Sequence, residues 1–181
     1  MLCTSAPHRE RTSLLLTQGN INLVRESAYM QLQLRNYAPL IEARLILRRA
    51  QPHLRVNWVA LAIAHDLADN KAQAARVLAA YETVTHDVPP HNYEFSEVVL
   101  YHASLLDQIG EAQAVLDLLE AQRARLFDLP AIDELRINAL LKLGRVAEAD
   151  VLLRTLLARN PENTQTIRRL LAELREEERL A

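Results

Sequence analysis

The sequence predicts an all-α fold of antiparallel helix pairs, stacked as a solenoid with open ends. Residues that lose little on entering a helix dominate the 181-residue chain, which contains only 3 Gly and 7 Pro. Apolar residues recur at helical spacing, for example at Val59, Ile63 and Leu67. A third observation, a repeat of about 34 residues, determines how the helices are paired.

This period is typical of tetratricopeptide repeats, in which the first helix carries Trp, Leu, a small residue and Tyr, and the second carries Ala and Phe. The only tryptophan of the chain, Trp58, sets the register. We expect these repeat positions to be structural, because the helices of a solenoid complete the cores of their neighbours. After Trp58 they fall on Leu61, Ala62, His65, Ala74 and Leu78.

The repeat extends in both directions from Ala74. One period before Ala74 lies Leu40, and the equivalent positions after it are Val115 and, one period further, Ala149. The step from Ala74 to Val115 is longer than the others and contains the stretch HDVPPHNYEF. Its paired prolines cannot continue a helix, so we expect a loop between repeats there.

The individual helices follow from the interruptions of the apolar pattern. No alternating β-branched run and no Asn-Gly or Asp-Gly turn occurs, so a sheet is not expected. About four helix pairs are predicted. The breaks fall at residues 18–20, 35–39, 52, 69–71, 88–92, 109–111, 129–130, 144 and 160–161.

Both ends of the array are predicted to be incomplete. Pro52 and Pro161 each stand six residues before a bulky apolar residue of a first helix, Trp58 and Ile167. Residues 164–181 would then be a first helix without its partner, and residues 1–19 the remnant of a preceding second helix. The complete repeat array is expected over residues 20–163, as a slice of a longer solenoid.

Charge and cysteine content narrow the partners and the compartment. Lys and Arg number 21 against 23 Asp and Glu, so no long-range field draws the whole chain to DNA or a membrane. One cysteine, Cys3, cannot form an internal disulfide, which fits a reducing compartment, the cytosol or the nucleus. No stretch approaches the roughly 20 apolar residues of a spanning helix, so a soluble protein is expected.

Some stretches contain residues that the repeat consensus does not explain. The most specific are the helix at 58–65, Tyr-Glu-Phe-Ser-Glu at 93–97 and Asn-Pro-Glu-Asn at 160–163. They lie within NWVALAIAHDLADNKAQAARVLAAYE (57–82), YEFSEVVLYHASLLDQIGEAQAVLDLLE (93–120) and LGRVAEADVLLRTLLARNPEN (143–163), which a fourth, less specific stretch precedes, NINLVRESAYMQLQLRNY (20–37). In order and spacing these stretches resemble the auxiliary-subunit family of the N-terminal acetyltransferase A complex.

The resemblance implies a non-catalytic scaffold. Auxiliary subunits of this family are longer solenoids that wrap around a separate catalytic acetyltransferase and tether it to the ribosome. The expected partners are therefore a catalytic subunit and the ribosome, for co-translational acetylation of protein N-termini. The main alternative is a general tetratricopeptide adaptor for an unrelated partner.

The sequence offers little catalytic chemistry, and we expect no catalytic, cofactor or metal site. Acetyl-coenzyme A and nucleotide sites need a glycine-bearing loop that approaches a pyrophosphate, but the 3 glycines stand far apart. His86 and His91 lack a third strong metal ligand nearby, so loop histidines are favoured over a metal site. His65, with Asp69 four residues later, is favoured as a packing residue.

A partner surface is expected on the first helices, at positions one and five after the Trp position. These positions include Tyr29, Val59, Ile63 and Leu100, which form a candidate apolar strip for a partner helix. Curvature of the solenoid would alternatively bury them within the chain.

A second candidate surface is the group of Arg44, Arg48 and Arg49 on one second helix. Guanidinium groups neutralise phosphates, so this patch is a candidate ribosome contact. The alternative is a solvated helix face, and Arg44 occupies the Phe position of the repeat, where its stem can pack.

Overall fold

The structure is a computed structural model that describes residues 20–84 and 92–164, together with residues 168 and 172. Every regular element in these residues is helical, which confirms the predicted all-α class. The helices are α1 (Ile21–Gln33), α2 (Tyr37–Ala50), α3 (Arg55–Leu67), α4 (Lys71–Val84), α5 (Tyr93–Gln108), α6 (Ala112–Ala121), α7 (Leu129–Lys142) and α8 (Val146–Arg159), with a 3-10 turn at Arg123–Arg125.

The chain divides into two compact units, Met1–Asp87 and Val88–Ala181. In the first unit α1 packs on α2, α2 on α3 and α3 on α4. In the second, α5 packs on α6, α6 on α7 and α7 on α8, and α5 also contacts α7. The division lies within the longer step of the repeat. Residues 85–91 of the loop expected there lie outside the described residues, and the described chain re-enters a helix at Tyr93. Of the predicted terminal segments, residues 1–19 lie outside them, and within 164–181 only residues 164, 168 and 172 are described, each as helical.

The helix starts follow local capping chemistry. The side-chain oxygens of Asn20, Asn92 and Asp128 accept hydrogen bonds from backbone N–H groups three residues later, at 3.3, 3.0 and 3.2 Å. Such caps satisfy N–H groups that have no partner within the helix. Asp128 is followed by Pro130 in the first turn of α7, where the missing N–H of proline costs nothing.

The turns inside the helix pairs reveal a second periodic feature. After each first helix one residue adopts a left-handed backbone, with φ of 54° at Arg35, 58° at Asp69, 87° at Gly110 and 70° at Gly144. Each of the four lies five positions before one of the buried repeat positions Leu40, Ala74, Val115 and Ala149. Only two of them are glycine, the residue that adopts this conformation at least cost.

No helix in the two described stretches is long and apolar enough to cross a membrane.

Candidate partner-binding surfaces

Trp58 is a packing residue at the centre of an aromatic and cationic cluster. It is 6% exposed. Its Nε1–H donates to the carbonyl of Pro52 at 2.7 Å, and the Tyr81 ring lies 6.1 Å away. The Arg48 guanidinium carbon lies 4.7 Å from the centroid of the Trp58 ring, within cation–π distance. The proline six residues before Trp58 is therefore a hydrogen-bond partner as well as a helix breaker.

The positions that the repeat register assigns to packing are mostly buried. Pro161, in the turn after α8, is exposed. His65 is half-buried. The register predicts burial wherever a large or small apolar residue faces a neighbouring helix. The buried positions are Trp58, Leu61, Ala62, Ala74, Leu78, Val115 and Ala149.

His65 lies in a poorly solvated position. Its Nδ1 atom is buried and has no hydrogen-bond partner in the described structure. Burial lowers the pKa of His65 below its ordinary value, so the imidazole is neutral at pH 7. Asp69, which lies four residues after His65 in the sequence, is in the turn that follows α3, where its backbone is left-handed.

The residues proposed for the apolar strip fall into different environments. Ile63 is 42% exposed, Tyr29 is exposed and Val59 is half-buried. Leu100 is only 7% exposed, so it belongs to the core of the second unit. Placing Leu100 on an accessible strip is therefore corrected in favour of the alternative, burial within the chain.

Sequence reasoning did not select Val56, which extends the exposed strip on α3. Val56 is 63% exposed and lies seven residues before Ile63, on the same helix face. The sequence signal that could have identified Val56 is the spacing of two β-branched residues, Val56 and Ile63, two turns apart on one helix.

The three arginines of α2 do not form one solvent-exposed patch. Arg44 is only 8% exposed, and its guanidinium carbon lies 5.1 Å from the centroid of the Tyr29 ring. Arg48 stacks on Trp58, and its Nε is buried without a hydrogen-bond partner in the described structure. Arg49 is exposed. The expected shared phosphate surface is thus corrected to one exposed cation, Arg49, since Arg44 is buried, Arg48 is half-buried and each of these two stacks on an aromatic ring.

Two grooves lie at equivalent positions of the repeat, one in each unit. The first, here called the α2–α4 groove, has a volume of about 380 Å³ and lies between α2, α3 and α4. The second, the α6–α8 groove, has a volume of about 630 Å³ and lies between α6, α7 and α8. Each lies where two successive second helices flank the first helix between them, an arrangement that the sequence register alone did not reveal.

The grooves differ in charge. Arg48 and Arg76 are the arginines that line the α2–α4 groove, and no carboxylate from the described residues lines it. Three carboxylates, of Asp117, Glu120 and Glu148, line the α6–α8 groove together with two arginines, Arg136 and Arg145. Glu148 is held by a two-point ion pair with Arg145, at 2.6 and 2.7 Å, which lowers the pKa of its carboxyl.

No cluster of His, Cys, Asp and Glu in the described parts of the chain has the arrangement of a metal site. His86, His91 and Cys3 lie outside those parts. Gly110 and Gly144 occupy helix-terminal turns and have no neighbouring atom within 4 Å of an added Cβ, so they do not approach another part of the described chain closely.

Comparisons with known proteins identify the relationship. Residues 93–179 match the family "N-terminal acetyltransferase A, auxiliary subunit". The chain is 33% identical over 156 residues to the N-terminal acetyltransferase A complex auxiliary subunit NAA15 of Arabidopsis thaliana, covering 84% of this chain and 17% of that protein. This chain is a relative of the acetyltransferase A auxiliary subunit.

A human relative of this auxiliary subunit, N-alpha-acetyltransferase 16, is 31% identical over 155 residues, which are 84% of this chain and 18% of that protein. The fold is related as well. A chain from the "Structure of Naa15/Naa10 bound to HypK-THB" superposes with a TM-score of 0.77 at 32% identity, covering 90% of this chain and 28% of that chain. The chain thus spans less than a fifth of the length of the two curated relatives.

Proposed function

We propose that this chain acts as a non-catalytic scaffold segment of an N-terminal acetyltransferase A auxiliary subunit. It would bind the catalytic acetyltransferase subunit and the ribosome in the cytoplasm and so promote co-translational acetylation of protein N-termini. The observation that carries the proposal is combined similarity in sequence and fold to a chain from the Naa15/Naa10 complex.

The proposed mechanism is positional. A scaffold that holds an enzyme beside an emerging chain raises their effective concentration without contacting the reacting atoms. The contact surface proposed for the catalytic subunit is the exposed strip of the first unit, Tyr29, Val59 and Ile63, extended by Val56. Apolar side chains on one helix face are suited to bury a partner helix.

Affinity purification tests the assembly. The tagged chain, purified from extract of its native host, should recover an N-terminal acetyltransferase catalytic subunit together with ribosomal proteins. Recovery of an unrelated complex, such as a chaperone, would favour the general adaptor instead.

Two substitutions test the strip itself. Ile63→Glu should weaken recovery of the catalytic subunit at least about tenfold, because it places a charge in an apolar contact. Ala79→Glu is the matched control, because it introduces the same charge at an exposed position of α4, outside the strip. It should leave recovery of the catalytic subunit unchanged. Equal recovery by both variants would exclude the strip as the contact surface.

Of the three arginines proposed as a ribosome contact, Arg49 is the one that is exposed, and the proposed contact is therefore limited to Arg49. Arg49→Glu should weaken co-sedimentation with ribosomes at low salt, and the difference should diminish as salt rises, because counterion release drives phosphate binding. Unchanged co-sedimentation would remove Arg49 from the contact. Arg49 is suited to this test because it is exposed, whereas replacement of Arg44 would also disturb packing.

A further inference from the structure

The α2–α4 groove combines an apolar lining with cations that lack acidic partners. Ile41, Leu45 and Ala80 supply accessible apolar lining, and Arg48 and Arg76 supply positive charge from the two flanking helices. Arg76 is exposed and makes one 3.4 Å hydrogen bond, to the neutral side chain of Gln73. Neither arginine forms an ion pair with a carboxylate in the described structure.

The groove also contains polar side-chain atoms that form no hydrogen bond to the described residues. The Nε of Arg48 and the Nδ1 of His65 are buried, and neither has a hydrogen-bond partner in the described structure. Buried donors and acceptors are normally paired, and an unpaired one costs free energy. Both residues line the same groove, so a ligand that enters it meets guanidinium donors and a neutral imidazole.

We propose that the α2–α4 groove binds an amphipathic protein segment through an acidic side chain. Its carboxylate would pair with Arg48 and Arg76, and its apolar residues would cover Ile41, Leu45 and Ala80. The groove volume of about 380 Å³ lies within the range of roughly 300–1,000 Å³ that is usual for ligand-binding clefts. This inference goes beyond the scaffold proposal, which assigns the catalytic subunit to another face.

The apolar lining distinguishes a protein segment from nucleic acid. Binding to a nucleic-acid backbone depends on several phosphates neutralised by exposed cations and gains little from apolar surface. In this groove Arg48 is stacked on Trp58, which leaves one exposed cation, Arg76, beside apolar side chains. A carboxylate on an apolar segment satisfies both features, since guanidinium groups pair with carboxylates by charge-assisted hydrogen bonds.

The position of Trp58 gives a direct measurement. The only tryptophan of the chain lines this groove, so its emission reports occupancy. The probes are tryptophan-free peptides long enough for four helical turns, selected from a randomised displayed library on the full chain. They are then titrated while Trp58 fluorescence is recorded. The selected peptides should be enriched in Glu or Asp beside apolar residues.

Matched variants separate this contact from general charge attraction. Changing the enriched acidic residue to Gln should weaken binding about tenfold, and Arg76→Gln should abolish that difference. Arg49→Gln, which removes an exposed cation of α2 outside the groove lining, should leave the affinity unchanged. Thermal unfolding followed by circular dichroism confirms that each variant is folded.

Three results would overturn the proposal. The first is a library that yields no peptide with saturable binding, or yields basic peptides. The second is an equal loss of affinity with Arg76→Gln and Arg49→Gln. The third is a Trp58 response to polyuridylic acid that exceeds the response to the acidic peptides, which would assign the groove to RNA.

Discussion

At the scale of single residues, stacking on an aromatic ring gives Arg44 a different role from Arg49. Arg44 and Arg49 lie on the same helix and have the same chemistry, yet Arg44 is buried over Tyr29 and Arg49 is exposed. The guanidinium group is weakly hydrated and planar, so it can pack against a ring while its stem covers apolar surface. Packing should therefore dominate the effect of replacing Arg44.

Arg44→Ala should lower the free energy of unfolding by about 1–2 kcal/mol, through loss of the contact with Tyr29 and of buried stem surface. Arg49→Ala should change it by no more than about 0.5 kcal/mol, as is usual for exposed positions. Urea denaturation followed by circular dichroism measures both. A loss of the same size in the two variants would contradict the assignment of Arg44 to packing.

His65 predicts a pH dependence of stability. Burial lowers its pKa in the folded state below the ordinary value of 6.5, so the unfolded chain binds this proton more tightly. The free energy of unfolding should therefore fall as pH drops through about 6.5. His65→Gln should reduce this fall.

The matched control for that experiment is His53→Gln, because His53 is exposed. Thermal or urea unfolding at several pH values between about 5 and 8 provides the measurement. A pH profile that is unchanged by His65→Gln, or changed equally by His53→Gln, would show that burial of His65 is not the cause.

At the scale of helices and turns, the repeat imposes one backbone geometry on four different sequences. The second residue after each first helix is left-handed whether it is Arg35, Asp69, Gly110 or Gly144. A side chain in this conformation costs roughly 1–2 kcal/mol, whereas glycine incurs no such strain. The turn is therefore kept by the packing of the paired helices even where the local residue disfavours it.

Introducing a glycine at one of these turns and removing a glycine from another should therefore change the free energy of unfolding in opposite directions. Arg35→Gly should raise the free energy of unfolding by up to about 1 kcal/mol, because strain is relieved. Gly144→Ala should lower it by about 1 kcal/mol through backbone strain alone, since an added Cβ meets no atom within 4 Å. Chemical denaturation tests the pair, and two changes of the same sign would contradict the explanation.

At the scale of the whole molecule, repetition of the fold does not mean repetition of the surface. The α2–α4 and α6–α8 grooves occupy equivalent repeat positions. Two arginines and no described carboxylate line the first, whereas three carboxylates accompany two arginines in the second. Backbone geometry follows from buried positions, while groove chemistry follows from residues that the core does not constrain. Related solenoids can therefore keep one architecture and bind different partners.

A scaffold without catalytic machinery should transfer no acetyl group by itself. The purified chain, incubated with radiolabelled acetyl-coenzyme A and a peptide with a free N-terminus, should give no product above the rate without protein. A matched reaction with an active N-terminal acetyltransferase establishes the sensitivity of the assay. Turnover by the chain alone would refute the non-catalytic role.

The repeat architecture was predictable because it depends on periodic burial. Trp58, Ala62, Ala74 and Leu78 recur at spacings that only paired helices satisfy, and they are buried. Backbone hydrogen bonding and apolar burial act locally or between neighbouring helices, so their signature is present in the order of residues. The sequence by itself thus determined the helix pairs, their register and the resemblance to the auxiliary subunit.

Surface chemistry depended on contacts between residues far apart in sequence. Leu100 is buried in the unit where α5 contacts α7 as well as α6, and Arg44 is buried because Tyr29 of another helix lies beneath its guanidinium group. The register places a side chain on a face, but exposure depends on what packs against that face. Only the tertiary structure therefore decided which arginines meet solvent, where the two grooves form and which apolar residues remain available to a partner.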